Sequence, residues 1–182
     1  MTALEIPAEL LPSDGRFGCG PAKIRDAAVT ALATRGAALL GTSHRQAPVK
    51  ELVGSVRSRL GELFSLPEGY EVVLGNGGST SFWDVAVCSL VERRSAHASF
   101  GEFSAKFAAA AAAAPHLADP HVVTAPVGSV AVPTAVPGVD VYAWAHNETS
   151  TGALAPVRRV AGADAGALVV VDGTSAAGGP RR

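Results

Sequence analysis

Three mostly apolar runs of strand length, His121 to Thr124, Val139 to Ala145 and Ala167 to Val171, constrain the fold of this chain more than any other feature. A strand that is apolar on both faces needs cover on both, so such runs imply a sheet buried between two layers. The last two runs each end in a polar loop, His146-Asn147-Glu148-Thr149-Ser150-Thr151-Gly152 and Asp172-Gly173-Thr174-Ser175. An earlier stretch repeats the arrangement. Tyr70 to Leu74 reads as a short strand, and Gly75-Asn76-Gly77-Gly78-Ser79-Thr80 follows it.

Elsewhere the rhythm is helical. Apolar residues recur at helical spacing from Ile24 to Leu40, and Val49, Leu52, Val53, Val56, Leu60 and Leu63 form an amphipathic stripe between Pro48 and Phe64. Ser79 to Val91 reads as a helix, Ser95 to Phe100 as a strand, and Glu102 to Ala114 as a helix. In that last helix seven consecutive alanines have high propensity and no chemistry, and Pro115 stops it. Strands alternating with helices predict an open α/β fold, a mostly parallel sheet flanked by helices with ligands at the carboxyl ends of the strands. No internal repeat interrupts it. Residues 1–22, with Pro7, Pro12, Gly15, Gly18, Gly20 and Pro21, read as an extended segment lying over a single domain formed by 23–182.

Composition narrows the function. The 182 residues are 48% hydrophobic and only 17% charged, enough for one sizeable core, and a net charge of -1 gives no basic footprint for nucleic acid or anionic lipid. No apolar run approaches the roughly 20 residues of a membrane helix. Met1 to Leu10 carries Glu5 and Glu9 where a signal peptide would carry lysines, so a cytoplasmic location is expected. Cys19 and Cys88 form no CxxC pair; they read as small packing residues, and no metal is expected.

The polar loops carry the chemistry. At Gly75–Thr80, glycines and hydroxyls fall at a helix N-terminus, where unpaired N–H groups and the helix dipole favour a phosphate, although the same turn also serves as a plain strand-to-helix connection. Asp172 closes an apolar run, as a ligand-facing carboxylate or as a turn cap. Thr149 reads as a polar tip or a cap, Phe103 as a core residue on a helix, and His44-Arg45 as a solvated loop.

Four further motifs sharpen these readings: Phe17-Gly18-Cys19-Gly20-Pro21-Ala22-Lys23, Thr42-Ser43-His44-Arg45, Gly101-Glu102-Phe103-Ser104 and Asn147-Glu148-Thr149. In this order the chain resembles the phosphoserine aminotransferases over nearly its whole length, and the actinobacterial branch most closely through Gly41 to Lys50. The resemblance implies the large domain of the type I fold of transferases that use pyridoxal 5'-phosphate (PLP), and a homodimer. It also implies exchange of an amino group between phosphoserine and 2-oxoglutarate, yielding 3-phosphohydroxypyruvate and glutamate, in serine synthesis and in many bacteria on the route to vitamin B6.

Carried over by residue, the resemblance puts Gly78 and Ser79 in the cradle for the cofactor phosphate, where many relatives have Gly-Arg and so one more countercharge. Phe103 matches the aromatic residue stacked on the cofactor ring, Thr149 a threonine that hydrogen-bonds the cofactor, and Asp172 the carboxylate paired with the ring nitrogen. His44 and Arg45 match the substrate-binding pair, arginine's planar fork suiting carboxylate or phosphate. Cys19 falls where relatives often have a serine near the substrate.

Family members continue after the Asp172 loop through another strand to a Gln-Lys pair whose lysine forms the Schiff base, whereas here Gly178-Gly179-Pro180-Arg181-Arg182 follows. Lys50 and Lys106, both on predicted helices, do not fit that role. The expectation is an incomplete large domain, inactive alone. Two alternatives remain, a noncatalytic or split-enzyme α/β module binding a phosphate-bearing cofactor, and an unrelated nucleotide-binding domain, against which stands the lack of a GxGxxG fingerprint with its acidic partner.

Overall fold

In a computed structural model residues 5–11, 14–16 and 23–179 are described, in two compact units, Met1–Leu74 and Gly75–Arg182. Most of the expected extended segment, Cys19 included, lies outside the described residues.

The Met1–Leu74 unit is helical, with α1 at Asp26–Arg35 and α2 at Ala47–Leu63. Where the spacing predicts helix to Leu40, the α-helix gives way to a 3₁₀ turn at Gly36–Ala38, glycine being a poor helix former. Pro48 sits in the first turn of α2, where its missing N–H has no intrahelical acceptor to lose. Neither helix buries a residue: Leu52, Val53 and Val56 of the apolar stripe are 49%, 42% and 40% exposed. The strand expected at Tyr70 to Leu74 does not form. A strand exists through its ladder, and among the described residues the Val72 carbonyl accepts only the Arg57 side chain, at 2.6 Å. Val73 is accordingly 82% exposed.

The Gly75–Arg182 unit holds the sheet. In chain order come α3 (Ser79–Ser89), β1 (Ser95–Ser99), α4 (Glu102–Ala112), β2 (His121–Thr124), β3 (Val141–Ala145), the short antiparallel pair β4 (Asn147–Glu148) and β5 (Ala153–Leu154), and β6 (Leu168–Asp172). Strands β2, β1, β3 and β6 lie in that order, all parallel. The predicted strands and helices of this unit are thus all present, with ends shifted by at most two residues. Continuous apolar character matches position: every residue of central β3 is buried, while edge strands β2 and β6 are half-exposed.

Register divides the core between two faces. His97, Ala143 and Val170 align on one and Ala96, Tyr142 and Val169 on the other. Against the first pack Trp83 and Ala86 of α3 and Phe107 of α4; the Trp83 and Phe107 rings stack at 5.4 Å, and Phe107 meets His97 edge-on at 5.0 Å. The alanine run contributes Ala108 and Ala111, small enough to bring α4 close to the sheet. The second face is closed by connections, Ala131 and Val136 before β3 and Val160 and Ala163 before β6, packed around Phe100, Tyr142 and Trp144. Trp144 donates its indole N–H to Pro156 O, 3.1 Å away.

Cys88, expected as a packing residue, is exposed. The inward side of α3 is formed by Trp83, Ala86, Val87 and Leu90, and position 88 is turned about 100° from Val87. At the amino edge of the sheet the Asp140 carboxylate accepts the N–H groups of Glu92, Arg93 and Arg94. A cavity of about 360 Å³ opens there between Leu90, Arg93, Asp140, Asp164 and Leu168, with no sequence-predicted site residue in its lining.

Candidate functional site

The carboxyl edge of the sheet gathers the polar loops. Strands β3 and β6 pair to their ends, Ala145 opposite Asp172, and His146 N–H donates to Asp172 O at 2.9 Å, so both following loops leave side by side. The Gly75–Thr80 loop reaches the same place from α3. It turns at Gly77, whose φ of +93° suits glycine and where a Cβ would stand 2.6 Å from Ser81 Oγ. Gly78 caps α3 without a side-chain hydrogen bond, and the N–H groups of a first helical turn have no intrahelical acceptor. The positive end of α3 is thus left open.

Ser79, the first residue of α3, donates from its hydroxyl to Asp172 Oδ1 at 3.4 Å and contacts the Thr174 hydroxyl. Thr174 donates to the same oxygen from its N–H at 2.9 Å and its hydroxyl at 2.6 Å. Asp172 therefore does cap its own turn, the plainer of the two sequence readings. Its Oδ2, however, accepts nothing among the described residues, and the side chain is half-exposed.

Thr149 belongs to a second hub. Its hydroxyl donates to Ser175 Oγ at 2.7 Å, as does the Asn147 side-chain amide at 2.9 Å, and Ser175 donates to Asn147 O. Phe103 lies in the first turn of α4, 40% exposed, with the Lys106 ammonium 5.8 Å from its ring centre and itself paired to Glu102 at 2.9 Å. His44 and Arg45 are in the Met1–Leu74 unit, both exposed; Arg45 N–H donates to Ser43 Oγ.

Glu148, quoted in a motif but assigned no role from sequence, is fully buried. Its Oε1 accepts the Phe103 N–H (3.3 Å) and the Ser150 hydroxyl (2.8 Å), and its Oε2 the Ser104 N–H (2.8 Å) and hydroxyl (2.7 Å). Burial pushes its carboxyl up; the Ser104, Ser150 and Phe103 hydrogen bonds outweigh this and hold it below the ordinary value. Gly101 is glycine for this reason: a Cβ there would fall 2.6 Å from Glu148 Cδ and Ser150 Oγ. Thr174 and Ser175 were also missed as individual residues, and their signal was only their place beside Asp172.

No family model matches the chain. A phosphoserine aminotransferase of a Nocardioides species is 63% identical over 178 residues, covering 97% of this chain and 48% of that protein. Its relatives in sequence are phosphoserine aminotransferases. The chain spans about half the length of the curated relatives it matches, corresponding to their N-terminal part. Among solved structures, the phosphoserine aminotransferase of Cytophaga hutchinsonii superposes with a TM-score of 0.66 at 27% identity, over 80% of this chain and 40% of that one. A PLP-bound phosphoserine aminotransferase of Trichomonas vaginalis superposes at 0.59 and 20% identity, over 86% and 47%, which shows shared fold. The fold of the described residues matches part of the fold of these aminotransferases.

Proposed function

We propose that this chain forms the cofactor-binding portion of a PLP-dependent phosphoserine aminotransferase, which passes the amino group of phosphoserine to 2-oxoglutarate to give 3-phosphohydroxypyruvate and glutamate. The observation that carries the reading is the meeting of Ser79, Thr174 and Asp172. It sets the open positive end of α3 beside a strand-end carboxylate, an anion site next to a cation site. PLP carries both charges, on its phosphate and on its protonatable ring nitrogen.

The donor set fits this cofactor. The first-turn N–H groups of α3, with side-chain-free Gly78 and the Ser79 hydroxyl, would hold the phosphate. Asp172 Oδ2 would accept the ring N–H and keep that proton in place, Thr149 would hydrogen-bond a ring substituent, and the exposed Phe103 face would cover the ring. Bound PLP would act as the electron sink for the substrate α-carbon. His44 and the Arg45 guanidinium, both exposed, would take the substrate's carboxylate or phosphate. None of Lys23, Lys50 and Lys106, the chain's lysines, is assigned the covalent attachment; Lys106 is engaged with Glu102. With the family we place the protein in serine synthesis and vitamin B6 supply, in the cytoplasm, as a homodimer. Among the described residues no helix is long and apolar enough to cross a membrane.

Titration of the purified chain with PLP, followed by tryptophan fluorescence and visible absorbance, tests the reading. Saturable binding is expected, weaker by about tenfold or more in Ser79→Ala and for pyridoxal, which lacks the phosphate. Equal affinity for pyridoxal and PLP would refute the phosphate cradle. Borohydride reduction of the complex is expected to leave all three lysines unlabelled. For turnover, the chain joined to the remaining half of the Nocardioides relative should form glutamate from phosphoserine and 2-oxoglutarate. Recovery of that activity on mixing two separate halves would favour the split-enzyme reading instead.

A further inference from the structure

Glu148 is a fully buried carboxylate paired with no Lys, Arg or His among the described residues, yet its oxygens are well supplied with donors. Two of these, the N–H groups of Phe103 and Ser104, belong to the first turn of α4 and would otherwise have no acceptor within the helix. The Ser150 hydroxyl, on the loop after β4, donates to Glu148 and in turn accepts the Glu102 N–H at 2.9 Å. One carboxylate thus ties the helix start that presents Phe103 to the loop that presents Thr149. Its neighbours in sequence, Asn147 and Thr149, instead engage Ser175, two residues after Asp172 in sequence. A hydrophobic residue at 148 could fill the space but would leave those donors unpaired, which argues for a requirement beyond packing.

We infer that Glu148 is a positioning residue of the cofactor site, fixing the height and tilt of the Phe103 ring relative to Thr149. The inference rests on the cofactor reading above. Phe103 is held by its main chain here, its N–H donating to Glu148 while its side chain is 40% exposed. Gly101 belongs to the device: it leaves the space the Glu148 side chain occupies. A carboxylate that only stabilised the helix would leave bound PLP indifferent to its loss; a positioning residue would not.

The test compares the wild-type chain with Glu148→Gln, which keeps size but loses charge and one acceptor, and Gly101→Ala, which displaces the carboxylate without removing it. Far-ultraviolet circular dichroism checks the fold, amide hydrogen exchange reads Phe103 and Ser104, and PLP affinity and the visible circular dichroism of the saturated complex read the site. Both variants are expected to exchange these two amides at least about tenfold faster, to bind PLP about tenfold more weakly, and to show an altered visible dichroic band at saturation. Faster exchange with unchanged affinity and an unchanged band in both variants would reduce Glu148 to a helix cap and overturn the inference. If Glu148→Gln fails to fold, Gly101→Ala and Ser150→Ala decide by the same readings. A wild-type chain that binds no PLP would instead remove the cofactor reading itself and this inference with it, an outcome distinguishable from a positioning failure by the wild-type titration alone.

Discussion

Replacing His97 by glutamine should flatten the acid dependence of stability in the Gly75–Arg182 unit. His97 is 2% exposed, bonded through Nε2 to Ser95 Oγ at 3.0 Å and faced by the Phe107 ring edge, and burial lowers its pKa from 6.5 to about 4. The unfolded chain takes up a proton on this ring below pH 6.5, whereas the folded unit resists until about pH 4. Between these limits the unfolded state binds more protons, so stability falls as pH falls. At 1.36 kcal/mol per unit the whole effect is about 3 kcal/mol, of which about 2 kcal/mol is lost by pH 5. Trp83 and Trp144, the only tryptophans, both lie in this unit, so their fluorescence in urea titrations at pH 7.5, 6 and 5 reports its unfolding. That window also avoids Glu148, whose lowered carboxyl withdraws its own stabilisation at more acid pH. His97→Gln is expected to be less stable at pH 7.5 through imperfect packing, but to lose about 2 kcal/mol less than wild type on going to pH 5. Parallel pH slopes for the two proteins would refute the reasoning.

Gly77→Ala should strain the loop ahead of α3 by about 1–3 kcal/mol, through its positive φ and the clash with Ser81, and weaken PLP binding with little change in the unit's urea midpoint if the loop yields instead; an alanine variant with wild-type affinity and stability would remove the loop from the site. In the chain joined to its relative's remaining half, Asp172→Ala is expected to retain PLP and cut turnover by roughly a hundredfold, since loss of a charge-assisted hydrogen bond also leaves the ring a poorer electron sink; single-turnover rates measure it. In the same joined protein Arg45→Ala should lower kcat/KM for phosphoserine and 2-oxoglutarate by about ten- to a hundredfold while sparing PLP affinity, and steady-state kinetics with both substrates would show if it does not.

Legibility from sequence followed the range of the interaction concerned. Helices α2, α3 and α4 and strands β1, β2, β3 and β6 were readable because apolar period and breakers are local, and the burial of β3 on both faces matches its continuous apolar run. Tyr70 to Leu74 has the same local character and forms no strand, because a strand depends on a neighbour that local pattern does not specify. The cover of the second sheet face was legible only in outline. Both faces were expected to be covered, but the segments around Ala131 and Val160, read as Gly- and Pro-rich connections, are what pack there as irregular chain.

The site divides along the same line, and Asn147-Glu148-Thr149 shows how. Within β4, Asn147 and Glu148 send their side chains to opposite sides, so Glu148 faces away from the side that Asn147 takes. The hydrogen bonds agree: residues 147 and 149 meet Ser175, and residue 148 meets Phe103 and Ser104. A carboxylate facing away from a site would ordinarily be expected in water, which is why residue type alone marked Glu148 for no role. What reverses that expectation is the start of α4, forty-odd residues earlier, where a glycine leaves the space and two helical N–H groups lack acceptors. Gly101-Glu102-Phe103-Ser104 and Asn147-Glu148-Thr149 are therefore one structural device written in two places. Substitutions at Gly101 and Glu148 should accordingly be non-additive, the double variant costing little more than either single one in PLP affinity, and a fully additive pair would show that the two residues act separately.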